Sequence, residues 1–143
     1  MKQIIAVLVV VVVAGGAWWY LQGMPTGTPA PTNVPASKDD LIIVTSPLPN
    51  IKITSPLTIT GKARGGWYFE ASFPVKIYDA NGKELGQVAA QAQGDWMTTE
   101  YVPFVATLTF DKPTTATGKL VLQKDNPSGL PENENQLEIP VTF

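Results

Sequence analysis

The sequence predicts an all-β sandwich of about seven short strands, preceded by one transmembrane helix and a proline-rich linker. Two observations predict the sandwich. Apolar and polar residues alternate with period two in segment after segment of residues 41–143, and turn-forming residues separate those segments. A third predicts the helix: residues 4–21, IIAVLVVVVVAGGAWWYL, carry no charge and no polar face. The chain therefore divides into a signal-anchor over 1–21, a linker over 22–40 and a folded domain over 41–143.

A helix over 4–21 is roughly 27 Å long, close to the ~30 Å hydrocarbon core. Lys2 precedes it and no charge follows until Lys38, so the positive-inside rule leaves the N-terminus in the cytoplasm and the domain outside. Trp18, Trp19 and Tyr20 fall at the outer end, where amphipathic rings favour the headgroup layer. The competing reading is a cleaved signal peptide, with the small run Ala14-Gly15-Gly16-Ala17 as the cleavage region. Either reading exports the domain. In residues 22–40, Pro25, Pro29, Pro31 and Pro35 forbid a helix and favour extended backbone. Such a tether reaches on the order of 55 Å.

Composition excludes several functions. The net charge is −2 and lysine and arginine are scattered singly, which argues against nucleic acid as a partner. Cysteine and histidine are absent, which removes disulfides, thiolate nucleophiles, Cys/His zinc sites, a Ser-His-Asp triad and a lipid-bearing cysteine. No cofactor or metal is expected.

Within the domain, LTITGKA sets Leu57, Ile59, Gly61 and Ala63 on one face. VPFVATLTF does the same with Val102, Phe104, Ala106, Leu108 and Phe110, and QLEIPVTF with Leu137, Ile139, Val141 and Phe143. Further strands are expected over 42–45, 84–92 and 118–124. Asn81-Gly82 is a strong hairpin signal, because both residues tolerate positive φ. Pro140 has no N–H, which places its strand at an edge or its residue at a bulge. The near-repeat VTSPL/ITSPL, at 44–48 and 53–57, marks two similar strand-to-proline corners.

The segments PLPN (47–50), SPLTITGKA (55–63) and GWYFEASFPVKIYDANGKEL (66–85), followed by GDWM (94–97), VPFVATLTF (102–110) and DNPSGLPE (125–132), stand in a distinctive order. Together they resemble the immunoglobulin-like domain of bacterial spore germination, the GerM-associated type, over nearly all of 41–143. The resemblance implies an immunoglobulin-like β-sandwich that is extracytoplasmic, non-catalytic and often tethered to the bacterial cytoplasmic membrane. It implies cell-wall glycan (peptidoglycan) or another envelope protein as partner. It carries no role in spores to this chain.

The candidate site begins in GGWYFEASFPVKI, residues 65–77. A strand over 67–78 sets Trp67, Phe69, Ala71, Phe73, Val75 and Ile77 inward and Tyr68, Glu70, Ser72, Pro74, Lys76 and Tyr78 outward. Tyr68 and Glu70 are then an exposed aromatic-plus-carboxylate pair suited to a sugar; alternatively Glu70 pairs with Arg64. Gly65-Gly66 leaves room for the alternation to break near Trp67. A second locus, GDWMTTEY at 94–101, gathers Asp95, Trp96, Glu100 and Tyr101 in a turn, with Trp96 either a plug for one end of the sandwich or a binding anchor. At a shared end, Trp67 and Trp96 form one platform. Glu70 with Asp95 or Glu100 is imaginable as a glycosidase pair, but nothing else supports catalysis. The loop over 125–135 has oxygen donors for Ca²⁺ without the EF-hand spacing, and reads more simply as an Asx turn. The leading expectation is a non-catalytic binding module. A structural accessory subunit using strand addition at a sheet edge is the alternative, and a secreted hydrolase ranks last.

Overall fold

The structure, a computed structural model, describes Ala30 and residues 34–143. The expected membrane helix over 1–21 lies outside the described residues, as does most of the linker. Among the described residues no helix is long and apolar enough to cross a membrane.

Eight strands follow one another: β1 (Ala36–Lys38), β2 (Ile42–Ser46), β3 (Leu57–Arg64), β4 (Ser72–Asp79), β5 (Glu84–Ala92), β6 (Tyr101–Leu108), β7 (Thr117–Gln123) and β8 (Gln136–Thr142). All neighbours pair antiparallel, in the order β1-β2-β3-β6-β5-β4-β7-β8. β5 and β6 share only Gln91↔Val105 and Ala92↔Phe104, so the sheet divides there into two halves. The halves face each other across one core. Ile42, Ile59, Phe104 and Leu108 of the first pack in the same cluster as Phe73, Ile77, Leu122 and Ile139 of the second. Phe73 and Phe104 meet across it edge to face, with ring centroids 4.9 Å apart.

The expected alternation in β3, β6 and β8 appears as buried Ile59 and Ala63, buried Val102, Phe104, Ala106 and Leu108, and buried Leu137, Ile139 and Val141. β8 is the last strand in the order, as Pro140 requires. Its outer edge is partly occupied: the Asn50 N–H donates to the Pro140 carbonyl at 2.7 Å and the Ile53 N–H to the Thr142 carbonyl at 2.9 Å. The two SPL corners share one device, a cis Ser–Pro bond at Ser46-Pro47 and at Ser55-Pro56.

Two expectations are corrected. Residues 36–38, assigned to the linker, form β1 and pair with β2 from Ala36↔Val44 to Lys38↔Ile42. Asp39 and Asp40, at φ 48° and 56°, turn the chain in the three-residue loop 39–41 between the two strands, since aspartate tolerates the left-handed region better than most residues. The strand expected over 67–78 begins only at Ser72. Residues Gly65–Trp67 form a 3₁₀ turn, and Glu70 and Ala71 adopt φ 49° and 63°. Phe69 and Ser72 exchange both backbone hydrogen bonds, at 3.0 and 3.1 Å, around those two residues. The alternation is reset by that turn.

The Asn81-Gly82 hairpin forms as expected, with Gly82 at φ 81°. Buried Asp79 organises it: one carboxylate oxygen, Oδ1, accepts the N–H groups of Asn81 and Lys83, each at 2.9 Å. Charge-assisted bonds of this kind are worth about 1.5–3 kcal/mol. Asp79→Ala is therefore expected to lower unfolding free energy by about 2–3 kcal/mol. Asp79→Asn, which keeps an acceptor oxygen, should lose less than half as much in the same denaturant titration.

Candidate functional site

All six candidate residues lie at one end of the sandwich, where β3 ends, β4 begins, β5 ends and β6 begins. Backbone bonds knit this end together. The Gly65 N–H donates to the Glu100 carbonyl at 3.2 Å, the Asp125 N–H to the Trp67 carbonyl at 3.0 Å, and the Ala92 N–H to the Ala71 carbonyl at 2.8 Å. Gly65 is obligatory here, because a Cβ on it would collide with the backbone carbonyls of Trp96 and Thr98. The loop over 93–100 therefore lies directly on the 3₁₀ turn.

Tyr68 is not on the outer face. It is 4% exposed, its ring packs edge-on against Phe73 at 5.2 Å, and its hydroxyl donates to the Val102 carbonyl at 2.6 Å. Burial pushes its pKa up to about 12, with the Ala63 backbone opposing the shift. Phe69 takes the exposed position instead, at 41%, because the left-handed pair after it turns the chain. Glu70 sits at the tip of that turn, exposed. Arg64 does not pair with it.

Arg64 pairs with Asp40. Its Nη2 lies 2.8 Å from Asp40 Oδ2, and its Nε donates to the Asp40 carbonyl at 3.1 Å. The guanidinium stacks over the Tyr101 ring, 3.8 Å from the centroid, and Lys62 Nζ lies 4.7 Å from the same centroid. Tyr101 donates its hydroxyl to Asp40 Oδ1 at 2.6 Å. Glu100 Oε2 stands 3.8 Å from Arg64 Nη1, a loose exposed pair. The Tyr101 hydroxyl, then the Arg64 guanidinium, hold the Asp40 carboxyl below its ordinary range, and Asp40 in turn raises the Tyr101 phenol and the Arg64 guanidinium. These groups are solvated, so their value is positional: they clamp the β1–β2 turn to β3 and β6.

Trp96 is half-buried and packs on the core, as a plug does, while its ring meets Phe69 at 6.4 Å. Trp67 is buried, and its indole N–H has no partner among the described residues. The aromatic pair at this end is thus Phe69 with Trp96, not Trp67 with Trp96. Met97, beside them in the chain, is 77% exposed. Asp95 Oδ1 accepts the Met97 N–H at 3.0 Å and shapes that turn. In the loop over 125–135, the Ser128 hydroxyl donates to Asn126 Oδ1 at 2.6 Å and the Asn126 amide to the Leu130 carbonyl at 2.9 Å. Asn126 and Ser128 are thus engaged in the loop's own turn, as an Asx turn requires, and no group of acidic side chains suited to a metal occurs among the described residues.

The structure thus brings Asp95, Trp96, Glu100 and Tyr101 to one end with Tyr68 and Glu70, and adds to them Phe69, Met97, Asp40 and Lys62, which the sequence does not single out. Only Asp39-Asp40, a weak turn signal, was there to be found.

An antiparallel two-layer arrangement with its loops gathered at the ends defines an immunoglobulin-like module. The family model for the immunoglobulin-like domain of bacterial spore germination matches residues 41–130, more than half of the chain, and the chain belongs to that family. No curated protein and no solved structure matches it significantly.

The raised Tyr68 pKa has a readable consequence. The phenol ionises near pH 10 when unfolded and near 12 when folded, so its contribution is complete below pH 10 and lost as pH rises through 12. Tyr68→Phe should flatten the fall of stability between those two values and cost about 1 kcal/mol at neutral pH, measured by denaturant unfolding across the alkaline range.

Proposed function

We propose that the chain is a non-catalytic, membrane-tethered binding module of the bacterial envelope, which contacts an envelope component through the loop end of its sandwich. The observation that carries this is exposed Phe69 against half-buried Trp96, with exposed Met97 following Trp96 in the chain, at the same end as the stacked Arg64–Tyr101 cluster. Aromatic side chains, methionine and arginine beside a rigid, partly desolvated anchor are the composition of a protein-contact surface. A protein is thus the occupant this end fits best, with cell-wall glycan the second.

Direction supports the reading. β1 runs antiparallel to β2, from Ala36 beside Val44 to Lys38 beside Ile42, and so enters the sandwich heading toward the loop end. A tether arriving that way presents the loops away from its anchor, and its reach sets a high local concentration for weak contacts. The non-catalytic reading is supported by the exposure of Glu70, Asp95 and Glu100, none of them held in a dry cleft. Strand addition is less well supported, because part of the β8 edge already bonds to residues 50–53.

Photo-crosslinking of the full-length chain in envelopes, with the probe at position 99 of the loop, is expected to capture one protein. The double variant Phe69→Ser/Met97→Ser should reduce that product roughly tenfold or more, since exposed apolar anchors contribute about 1 kcal/mol or more each. Capture that is unchanged in the double variant would contradict the reading. Retention on purified peptidoglycan with no protein captured would move the assignment of this end to glycan.

A further inference from the structure

Charge is divided unevenly between the two ends of the sandwich. Four connections lie at the loop end: residues 39–41, 65–71, 93–100 and 124–135. The first three carry Asp39, Asp40, Glu70, Asp95 and Glu100, and no lysine or arginine. The fourth adds Asp125, Glu132 and Glu134 against Lys124. The opposite end reverses the sign. Residues 47–56, 80–83 and 109–116 carry Lys52, Lys83 and Lys112 against Asp111 alone. A net charge of only −2 for the whole chain therefore conceals a domain with one acidic end.

The strands do little to neutralise that end. Arg64, the last residue of β3, is shared by Asp40 and Glu100, and Lys62 lies over the Tyr101 ring. Glu70 and Asp95 have no ion pair among the described residues, and both are exposed. Each adjoins the aromatic contact in the chain: Glu70 follows Phe69 and Asp95 precedes Trp96. Apolar exposure is concentrated at the same end. Of the large hydrophobic side chains exposed among the described residues, Phe69, Met97 and Leu130 stand in these connections, and only Val34 does not.

Acidity and apolar exposure together select among occupants. The carboxylates are dispersed over four connections, and no group of them suited to a metal occurs among the described residues. They act as a spread negative field. Such a field repels wall polymers that carry phosphate or carboxylate, and it repels an anionic membrane surface. A protein segment with apolar side chains set between lysines or arginines answers both features. Its apolar groups cover Phe69 and Trp96, and its cations meet Glu70 and Asp95.

We propose that the partner of the loop end is a basic protein segment, recognised by exposed Phe69 and Met97 and by the carboxylates of Glu70 and Asp95 beside them. This rests on the reading of the loop end as a protein contact, and it names the chemistry of what that end contacts.

The test uses the full-length chain in envelopes with the photo-crosslinking probe at position 99, and sequences the crosslinked segment by mass spectrometry. That segment is expected to hold apolar residues and an excess of lysine and arginine over acid. Capture should fall about fivefold between about 50 mM and about 500 mM salt, since exposed charge pairs are screened. Glu70→Gln/Asp95→Asn, which removes two charges and keeps the acceptor for the Met97 N–H, should lower capture about fivefold at the lower salt. Its denaturant midpoint should match that of the unaltered chain, and the salt series needs no variant at all. A crosslinked segment with an excess of acid overturns the proposal. So does capture indifferent to salt or, in a folded double variant, to the two neutralised charges. If Phe69→Ser/Met97→Ser still lowers capture in those cases, the loop end remains a protein contact and only its basic partner is refuted. No protein captured at either salt refutes the contact and the basic partner together.

Discussion

The left-handed pair Glu70–Ala71 is the constraint on which the rest of the domain depends. Neither residue is glycine, and each costs roughly 1–2 kcal/mol in that conformation. Their φ values of 49° and 63° persist because Phe69 and Ser72 bond reciprocally around them and the Ala92 N–H holds the Ala71 carbonyl. The turn sets the phase of β4: Phe73, Val75 and Ile77 go in, and Pro74, Lys76 and Tyr78 go out. β4 pairs with both β5 and β7, so a slip of one residue would invert the faces of the central strand in its half.

From that phase the core follows. The two halves are joined by a short ladder, Gln91↔Val105, Ala92↔Phe104 and the Gln93 N–H to the Pro103 carbonyl, and side chains must do most of the joining. Phe73 is the joint, edge-on to Phe104 of β6 on one side and to Tyr68 on the other. Phe104 fits because β3 has Gly61 opposite it: a Cβ there would lie 2.8 Å from Phe104 Cζ and would collide with the Ile43 carbonyl. The same phase decides the surfaces. It places Tyr68 inside and Phe69 outside at the loop end, and it puts Pro74 and Tyr78 on the outer face.

Much of this was legible in the sequence, for a physical reason. In β3, β6 and β8 one face is buried and the other solvated, so burial itself writes a period of two into the residues. The Asn81-Gly82 turn is equally plain, since glycine takes positive φ without steric cost, as Gly82 does at 81°. The family, too, was readable, because several motifs recur in a fixed order. What was not legible depends on tertiary bonds. Glu70-Ala71 carries no turn signature, and its conformation is imposed by Ser72 and Ala92. An alternation carried back from Phe73 through that turn is out of phase, which is why Tyr68 looks exposed and Phe69 looks buried. β1 is similar: Ala36-Ser37-Lys38 shows no apolar face, and Asp39-Asp40 becomes a turn only with Arg64 and Tyr101 to grip it.

The loop end sets the exposed side chains of Phe69 and Met97 at the same end as the Arg64–Asp40–Tyr101 clamp. That arrangement depends on β4 being in register. Replacing Glu70-Ala71 by Asn-Gly tests that dependence most directly, because it keeps the turn while relieving its strain. Denaturant unfolding of this variant should show a gain of about 1 kcal/mol or more, with Phe69 still exposed and Tyr68 still buried. A loss of stability, or a Tyr68 that titrates near pH 10, would show that the left-handed turn does not set the register.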